Sequence, residues 1–214
     1  KSFHATLQRV MTVRDAWHIV LSTPTFYSLY RFFKRLLDRK RSEPGDDLTS
    51  ALIEAEEEGD RLTPEELMGT VFLLLFAGHE TTVNLIGNGT LALLENPDEM
   101  ARLRANPALL TDAVEEMLRY YSPAHTTQRR HVVQSCSIGS VDLKKGDVLA
   151  PLVGAANRDE RAFENAETFN VGRTPNKHLA FGAGPHFCIG AHLSRLEGRI
   201  AFGALLNRFT NVRL

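Results

Sequence analysis

The 214 residues predict a mainly helical α+β fold. Three observations carry that expectation. From Thr63 to about Glu95 the apolar spacing is helical without a break, which at 1.5 Å per residue gives a rod of roughly 45 Å. Between Arg129 and Val153 the period drops to two, with turn residues between short runs, as strands require. After that, a glycine-rich stretch, Phe181 to Gly190, feeds a last amphipathic pattern at Leu193, Leu196, Ile200, Leu205, Leu206 and Phe209.

Bulk properties bound the function. A hydrophobic content of 43% and a charged content of 24% are those of an ordinary globular chain. The net charge of -1 gives no overall pull toward nucleic acid or an anionic membrane, so neither is expected as a partner. Two cysteines without framework spacing point to a reducing, cytoplasmic setting. The longest apolar run, Val71 to Ala77, is too short for a bilayer, and no signal-peptide pattern opens the chain. A start at Lys1 without methionine suggests a fragment.

In chain order, Trp17, Ile19 and Leu21 form a weak helical stripe that Pro24 is expected to break. Phe26, Tyr27, Tyr30, Phe33, Leu36 and Leu37 then mark an amphipathic helix. Arg31, Lys34, Arg35, Arg39, Lys40 and Arg41 form its basic, solvated face. Ser42 to Asp46 reads as a loop, and Asp47 to Glu58 as a short helix stopped by Gly59. Thr63-Pro64-Glu65-Glu66 announces the long rod with a capping box and a proline at the first helical position. Because Val71 to Ala77 is apolar on every face, the middle of the rod should be buried. Asn96-Pro97 starts a short helix that ends near Asn106-Pro107. Thr111 is placed to cap the next, which stops before Pro123. Val132-Val133, Cys136 to Ile138, Val141 to Leu143 and Val148 to Val153 suggest one small antiparallel sheet, followed by loop and short helix from Ala155 to Thr168.

The chemistry concentrates around Cys188. Gly182, Gly184 and Gly190 allow a sharp turn and leave room for a flat body against the backbone. Cys188 falls where the loop runs into a helix, whose N-terminal dipole favours an anion by about 0.3–1 kcal/mol, and so favours the thiolate. His178, His186 and His192 lie close enough in sequence to raise a zinc site, but the paired spacing of structural zinc ligands is missing. A buried, inert cysteine is the plainer alternative. The flanking glycines argue against it.

The arrangement Phe181, Gly184, Cys188, Gly190 resembles the haem-ligand loop of the cytochrome P-450 family. Two further stretches agree. Within the rod, Ala77-Gly78-His79-Glu80-Thr81-Thr82 is no zinc-protease helix, because the second histidine position is Val83. It resembles the oxygen-binding groove of the family's central helix. Glu116 and Arg119 lie three apart on a helix face, as in the family's Glu-x-x-Arg helix, and Arg173 sits where the third member of that network belongs, although the family's proline nearby is absent.

The resemblance implies a partial cytochrome P-450 fold, with residues 1–214 forming the C-terminal portion of one haem-binding monooxygenase domain. The N-terminal part of the fold and the last strands would be lacking. It further implies haem b (iron protoporphyrin IX) as cofactor, Cys188 as the axial iron ligand, and Ala77 and Gly78 as room for haem and substrate. Glu80 and Thr81 would be the acid–alcohol pair that passes protons, and Arg129, His178 and His186 the haem-propionate contacts. Phe181, Gly182 and Gly190 would shape the haem loop, and Glu116, Arg119 and Arg173 would brace it. His125, Thr126 and Thr127 are expected beside the substrate. The implied reaction inserts one atom of O₂ into a small organic substrate, with electrons from NAD(P)H through a ferredoxin or flavoprotein reductase. An H₂O₂-dependent peroxygenase and a non-catalytic haem-binding fragment are the alternatives.

Overall fold

In the computed structural model the described residues are 13–57 and 62–213, with side chains described from Pro24 onward. The chain divides into two compact units, Lys1–Phe76 and Ala77–Leu214.

In the first unit, helix α1 (Val13–Ser42) runs through Pro24 instead of breaking there. A proline removes one N–H from the ladder, and the bonds on either side carry this helix across the gap. Among its described side chains, Phe33 and Leu37 are buried. Phe33 and Leu37 pack with Ile53 of α2 (Leu48–Glu57) and with Leu67 and Val71 of α3 (Pro64–Glu95). Phe26, Tyr27, Tyr30 and Phe32 remain exposed. On the basic face, Lys34 pairs with Asp38 at 2.9 Å, both in solvent, so the face is solvated as expected. Asp47 caps α2 by accepting from the Ser50 amide at 3.0 Å. The expected stop at Gly59 lies outside the described residues.

The capping box of α3 is present in both directions. Thr63 N–H donates to Glu66 Oε2 at 2.8 Å, and Glu66 N–H donates to Thr63 Oγ1 at 3.2 Å. The burial expected in mid-helix is not found. Leu73, Leu75 and Phe76 are 62%, 57% and 67% exposed, because a helix apolar on every face needs neighbours on every face and the described residues supply too few. The short run Val71–Ala77 also understated the helix. An 18-residue window within Pro64–Glu95 averages a hydropathy of 1.2, long and apolar enough by composition to cross a membrane, a test that core helices of soluble proteins also pass.

The second unit holds α4 (Pro97–Ala105), a 3-10 turn (Pro107–Leu109), α5 (Leu110–Tyr120), α6 (Val153–Ala156) and α7 (Ala191–Arg208). Its core joins Leu85 and Leu93 of α3, Leu103 of α4, Val114, Met117 and Leu118 of α5, Phe169, and Phe202 of α7. Two glycines permit this closeness. A Cβ on Gly89 would run into the Phe202 ring and lie 2.9 Å from Met117 Sδ. One on Gly198 would lie 3.1 Å from Val114 and 3.3 Å from Leu85.

Thr111 does not cap α5. The 3-10 turn carries the chain into the helix one residue earlier, and the Asn106 side chain serves the turn by accepting from Ala108 N–H at 3.3 Å. The single expected sheet is two separate antiparallel pairs, β1 (Arg130–His131) with β4 (Val148–Leu149) and β2 (Cys136–Ile138) with β3 (Val141–Leu143). The predicted hairpin at Gly139-Ser140 is correct, but the outer strand begins at Arg130, earlier than Val132. The stripe expected on α7 is also displaced. Leu193 and Ile200 are exposed, while Ala191, Gly198 and Phe202 face the core.

Candidate active site

The cysteine loop is held from within. Gly182 and Gly184 take φ of 72° and 73°, the left-handed region in which a side chain would be strained. Around them, Gly182 N–H donates to Leu179 O at 2.8 Å and Phe187 N–H to Gly184 O at 3.0 Å. Cys188 N–H donates to Phe181 O at 3.0 Å. The loop thus closes on itself and leaves the Cys188 side chain exposed, with its thiol free. Helix α7 begins at Ala191 with Gly190 as its N-cap, so Cys188 stands just ahead of the first turn, its carbonyl accepting from Ala191 N–H at 3.2 Å. A Cβ on Gly190 would sit 3.8 Å from Cys188 Sγ, which makes that glycine part of the space around the sulfur.

Outside contacts fix the loop's flanks. Buried Asn157 accepts from Leu179 N–H at 2.7 Å and donates to Ser122 Oγ at 2.8 Å. The Glu115 carboxylate meets His178 Nε2 at 3.1 Å and takes two bonds from Arg195, at 2.7 and 2.9 Å. Arg195 in turn stacks over the Phe181 ring, 4.5 Å from its centroid. Burial alone would raise the Glu115 pKa. Hydrogen bonds from His178 and Arg195 outweigh it and hold the carboxyl at about 2, below the ordinary 4.5.

These contacts set the three candidate propionate donors in different surroundings. His178 is only 2% exposed at its side chain, and both ring nitrogens are engaged, Nε2 with Glu115 and Nδ1 with Ala180 N–H. Arg129 and His186 are exposed. Among the described residues, no group of three or more His, Cys, Asp or Glu side chains could hold a metal ion, so the histidines flanking Cys188 do not assemble a zinc site.

On α3, residues 77–81 are all exposed, and a Cβ on Gly78 would meet nothing within 4 Å. Thr81 Oγ1 donates to Ala77 O at 2.7 Å, one turn back, and keeps its oxygen free to accept. The Glu80 side chain is in solvent. One residue on, Thr82 Oγ1 donates to Glu197 Oε2 of α7 at 2.9 Å, and near it α3 and α7 cross at Leu85 and Gly198. Residues 77–81 and most of the cysteine loop are exposed. His125, Thr126 and Thr127 lie beside α6, where Gly154 N–H donates to His125 O at 3.1 Å.

Glu116, Arg119 and Arg173 come together as one buried network. Arg119 is fully buried and forks onto Glu116 with two bonds of 2.8 Å. Its remaining donors reach the carbonyls of Asn157, Ala166 and Thr168. Arg173 Nε donates to Glu116 Oε1 at 3.1 Å, and Asn170 N–H and Asn176 Nδ2 also donate to this carboxylate. Sequence reasoning found these three, but missed Glu115, Asn157, Arg195, Thr82 and Glu197. Glu115 adjoins a motif position and Arg195 follows Cys188 by two turns, yet no spacing rule joins residues eighty apart.

The family model described as Cytochrome P450 matches residues 24–212. Cytochrome P450 107B1 of Saccharopolyspora erythraea is 50% identical over 187 residues, covering 87% of this chain and 46% of that protein. Cytochrome P450 monooxygenase PikC of Streptomyces venezuelae is 47% identical over 184 residues, covering 86% and 44%. Among solved structures, the Bacillus subtilis polyketide synthase cytochrome P450 PksS superposes with a TM-score of 0.86 at 43% identity, covering 96% of this chain and 52% of that one. Myxobacterial cytochrome P450 CYP267B1, solved with myristic acid, gives 0.87 at 41% identity, covering 95% and 51%. The chain spans about half the length of the curated relatives it matches.

Proposed function

Since this chain belongs to the cytochrome P450 family, we propose that it carries the haem-thiolate half of a monooxygenase acting on a small organic substrate. One observation supports this above the others. The loop Phe181–Gly190 is shaped by two left-handed glycines and its own hydrogen bonds so that an unpaired cysteine side chain is left outward, with a glycine beside its sulfur.

The residues fit a flat, anionic, thiolate-ligated group. Cys188 Sγ would hold the iron, and Arg129 and His186 would face the propionates. Gly78 leaves open space where a larger residue would fill the groove. When bound, haem supplies the activation of O₂ and the transfer of one oxygen atom to a C–H bond or double bond. Thr81 Oγ1, whose own hydrogen is held by Ala77 O, would accept a hydrogen bond from a water that donates the proton, and Glu80 would pass a replacement proton from solvent to that water, a general-acid role. Electrons would come from NAD(P)H through a ferredoxin or flavoprotein reductase, in the reducing cytoplasm that two free cysteines suit. Related solved proteins are described with myristic acid and with testosterone, which supports an apolar small molecule as substrate.

The test is spectroscopic. Haem-loaded, reduced protein under CO should give the strongly red-shifted Soret band of thiolate ligation, and Cys188→Ser should abolish it. Persistence of that band in Cys188→Ser would sink the assignment.

A further inference from the structure

We propose that Glu115, with His178 and Arg195, is the positioning set of the cysteine loop, one carboxylate that fixes the loop from both ends. The proposal rests on the reading that this loop presents Cys188 to haem iron. His178 lies ten residues before Cys188 and Arg195 seven after it. Both meet the same carboxylate on α5, at 3.1 Å on one side and at 2.7 and 2.9 Å on the other. A guanidinium gripping a carboxylate by two parallel bonds fixes direction as well as distance. Here that direction places Arg195 over the Phe181 ring at 4.5 Å. Phe181 O is the acceptor for Cys188 N–H, and the Phe181 ring also faces Phe187, with centroids 6.4 Å apart. A continuous path therefore runs from Glu115 through Arg195 and Phe181 to the cysteine backbone.

The neighbouring carboxylate does something else. Glu116 faces Arg119, Arg173 and the 170–176 segment, and touches neither end of the loop. Two adjacent glutamates on one helix thus anchor two different segments. Cutting the Glu115 set should free the loop while the Glu116 network still holds the core.

The test is amide hydrogen exchange on the haem-free chain, paired with the ferrous–CO spectrum of the haem-loaded chain. Glu115→Gln should speed exchange across residues 179–190 by about tenfold, the order expected for losing charge-assisted hydrogen bonds, and leave the amides of α5 unchanged. Arg195→Gln, at a partly exposed position, should do the same, and carries the test alone if Glu115→Gln does not fold. Combining the two should add nothing further. Arg195→Lys, which keeps the charge without the fork, should restore part of the protection and part of the thiolate-type CO band lost in Arg195→Gln. Unchanged exchange in 179–190 for both single variants overturns the positioning set, whatever the spectrum. A wild-type chain without the thiolate-type band overturns the haem reading, whatever the exchange.

Discussion

Thr81 has one hydrogen to give, and it gives it to Ala77 O at 2.7 Å. Its oxygen can then only accept, which suits a group that steadies a proton source in the groove. Thr81→Ser keeps that oxygen and should keep coupled turnover. Thr81→Ala removes it. In catalytically competent protein carrying these residues, NAD(P)H consumption should continue while product per NAD(P)H falls and peroxide rises. An unchanged yield would remove Thr81 from proton delivery. Thr81 and Cys188 could be singled out from sequence because the chemistry proposed for them needs particular neighbours in an unbroken stretch: small residues before the threonine, glycines around the cysteine. Glu115 and Arg195 could not. Their partnership spans eighty residues and depends on the packing of α5 and α7, and neither is set apart by its neighbours.

At the scale of elements, α5 concentrates the charge that burial makes costly. Arg119 and Glu116 are both fully buried, and every donor of Arg119 is used on Glu116 or on a carbonyl. Removing Arg119 breaks a buried ion pair, leaves Arg173 as the one cation on Glu116 among the described residues and unpairs three buried carbonyls, at a cost of about 3–5 kcal/mol, against a total of roughly 5–15 for a domain. Arg119→Ala should therefore yield unfolded or aggregated protein, and a soluble variant with a native melting curve would contradict this. Glu115 makes a separate prediction on pH. Its folded pKa of about 2 lies below the ordinary 4.5, so its contribution is complete above about pH 4.5 and is lost as pH falls toward 2. The gap in melting temperature between wild type and Glu115→Gln should be constant at neutral pH and close across that window. A gap undiminished at pH 2.5 would show that the carboxylate's charge is not what holds the site. The helix contacts also explain what the periodicity of α7 concealed. Burial there follows Ala191, Gly198 and Phe202, because glycines at 89 and 198 leave room for the side chains of Phe202, Met117, Val114 and Leu85, while the larger Leu193 and Ile200 lie outside. Adding a methyl at Gly198 meets neighbours that need yield only a few tenths of an ångström, and the helix gains up to about 1 kcal/mol from alanine, so Gly198→Ala should be nearly neutral. Gly89→Ala must displace the Phe202 ring and Met117, an overpacking cost of about 1–3 kcal/mol, and should destabilise.

For the whole molecule, the long helix was correctly bounded by Thr63 and Glu95 because caps and prolines mark its ends locally. Burial of its middle could not be read the same way, since it depends on what surrounds the helix and not on the helix's own residues. The first unit alone exposes Phe26, Tyr27, Tyr30 and Phe32 on α1 and Leu73, Leu75 and Phe76 on α3. Single exposed apolar residues are ordinary, whereas clusters of large ones drive association at about 25 cal/mol per Å² of apolar surface removed from water. Of the charged residues nearby, Lys34 is paired with Asp38 at 2.9 Å, while Arg31 and Arg35 keep α1 net basic and repel between copies. These 214 residues, purified alone, should therefore associate as concentration rises, and more strongly in high salt, where screening removes what repulsion remains. Leu73→Glu with Phe76→Glu places like charges on that face and should shift the chain toward monomer without lowering its melting temperature, because both side chains are already in water. Sedimentation equilibrium measures the result. A wild-type chain that stays monomeric across a hundredfold range of concentration would show that this apolar face is covered in solution by the chain's own residues.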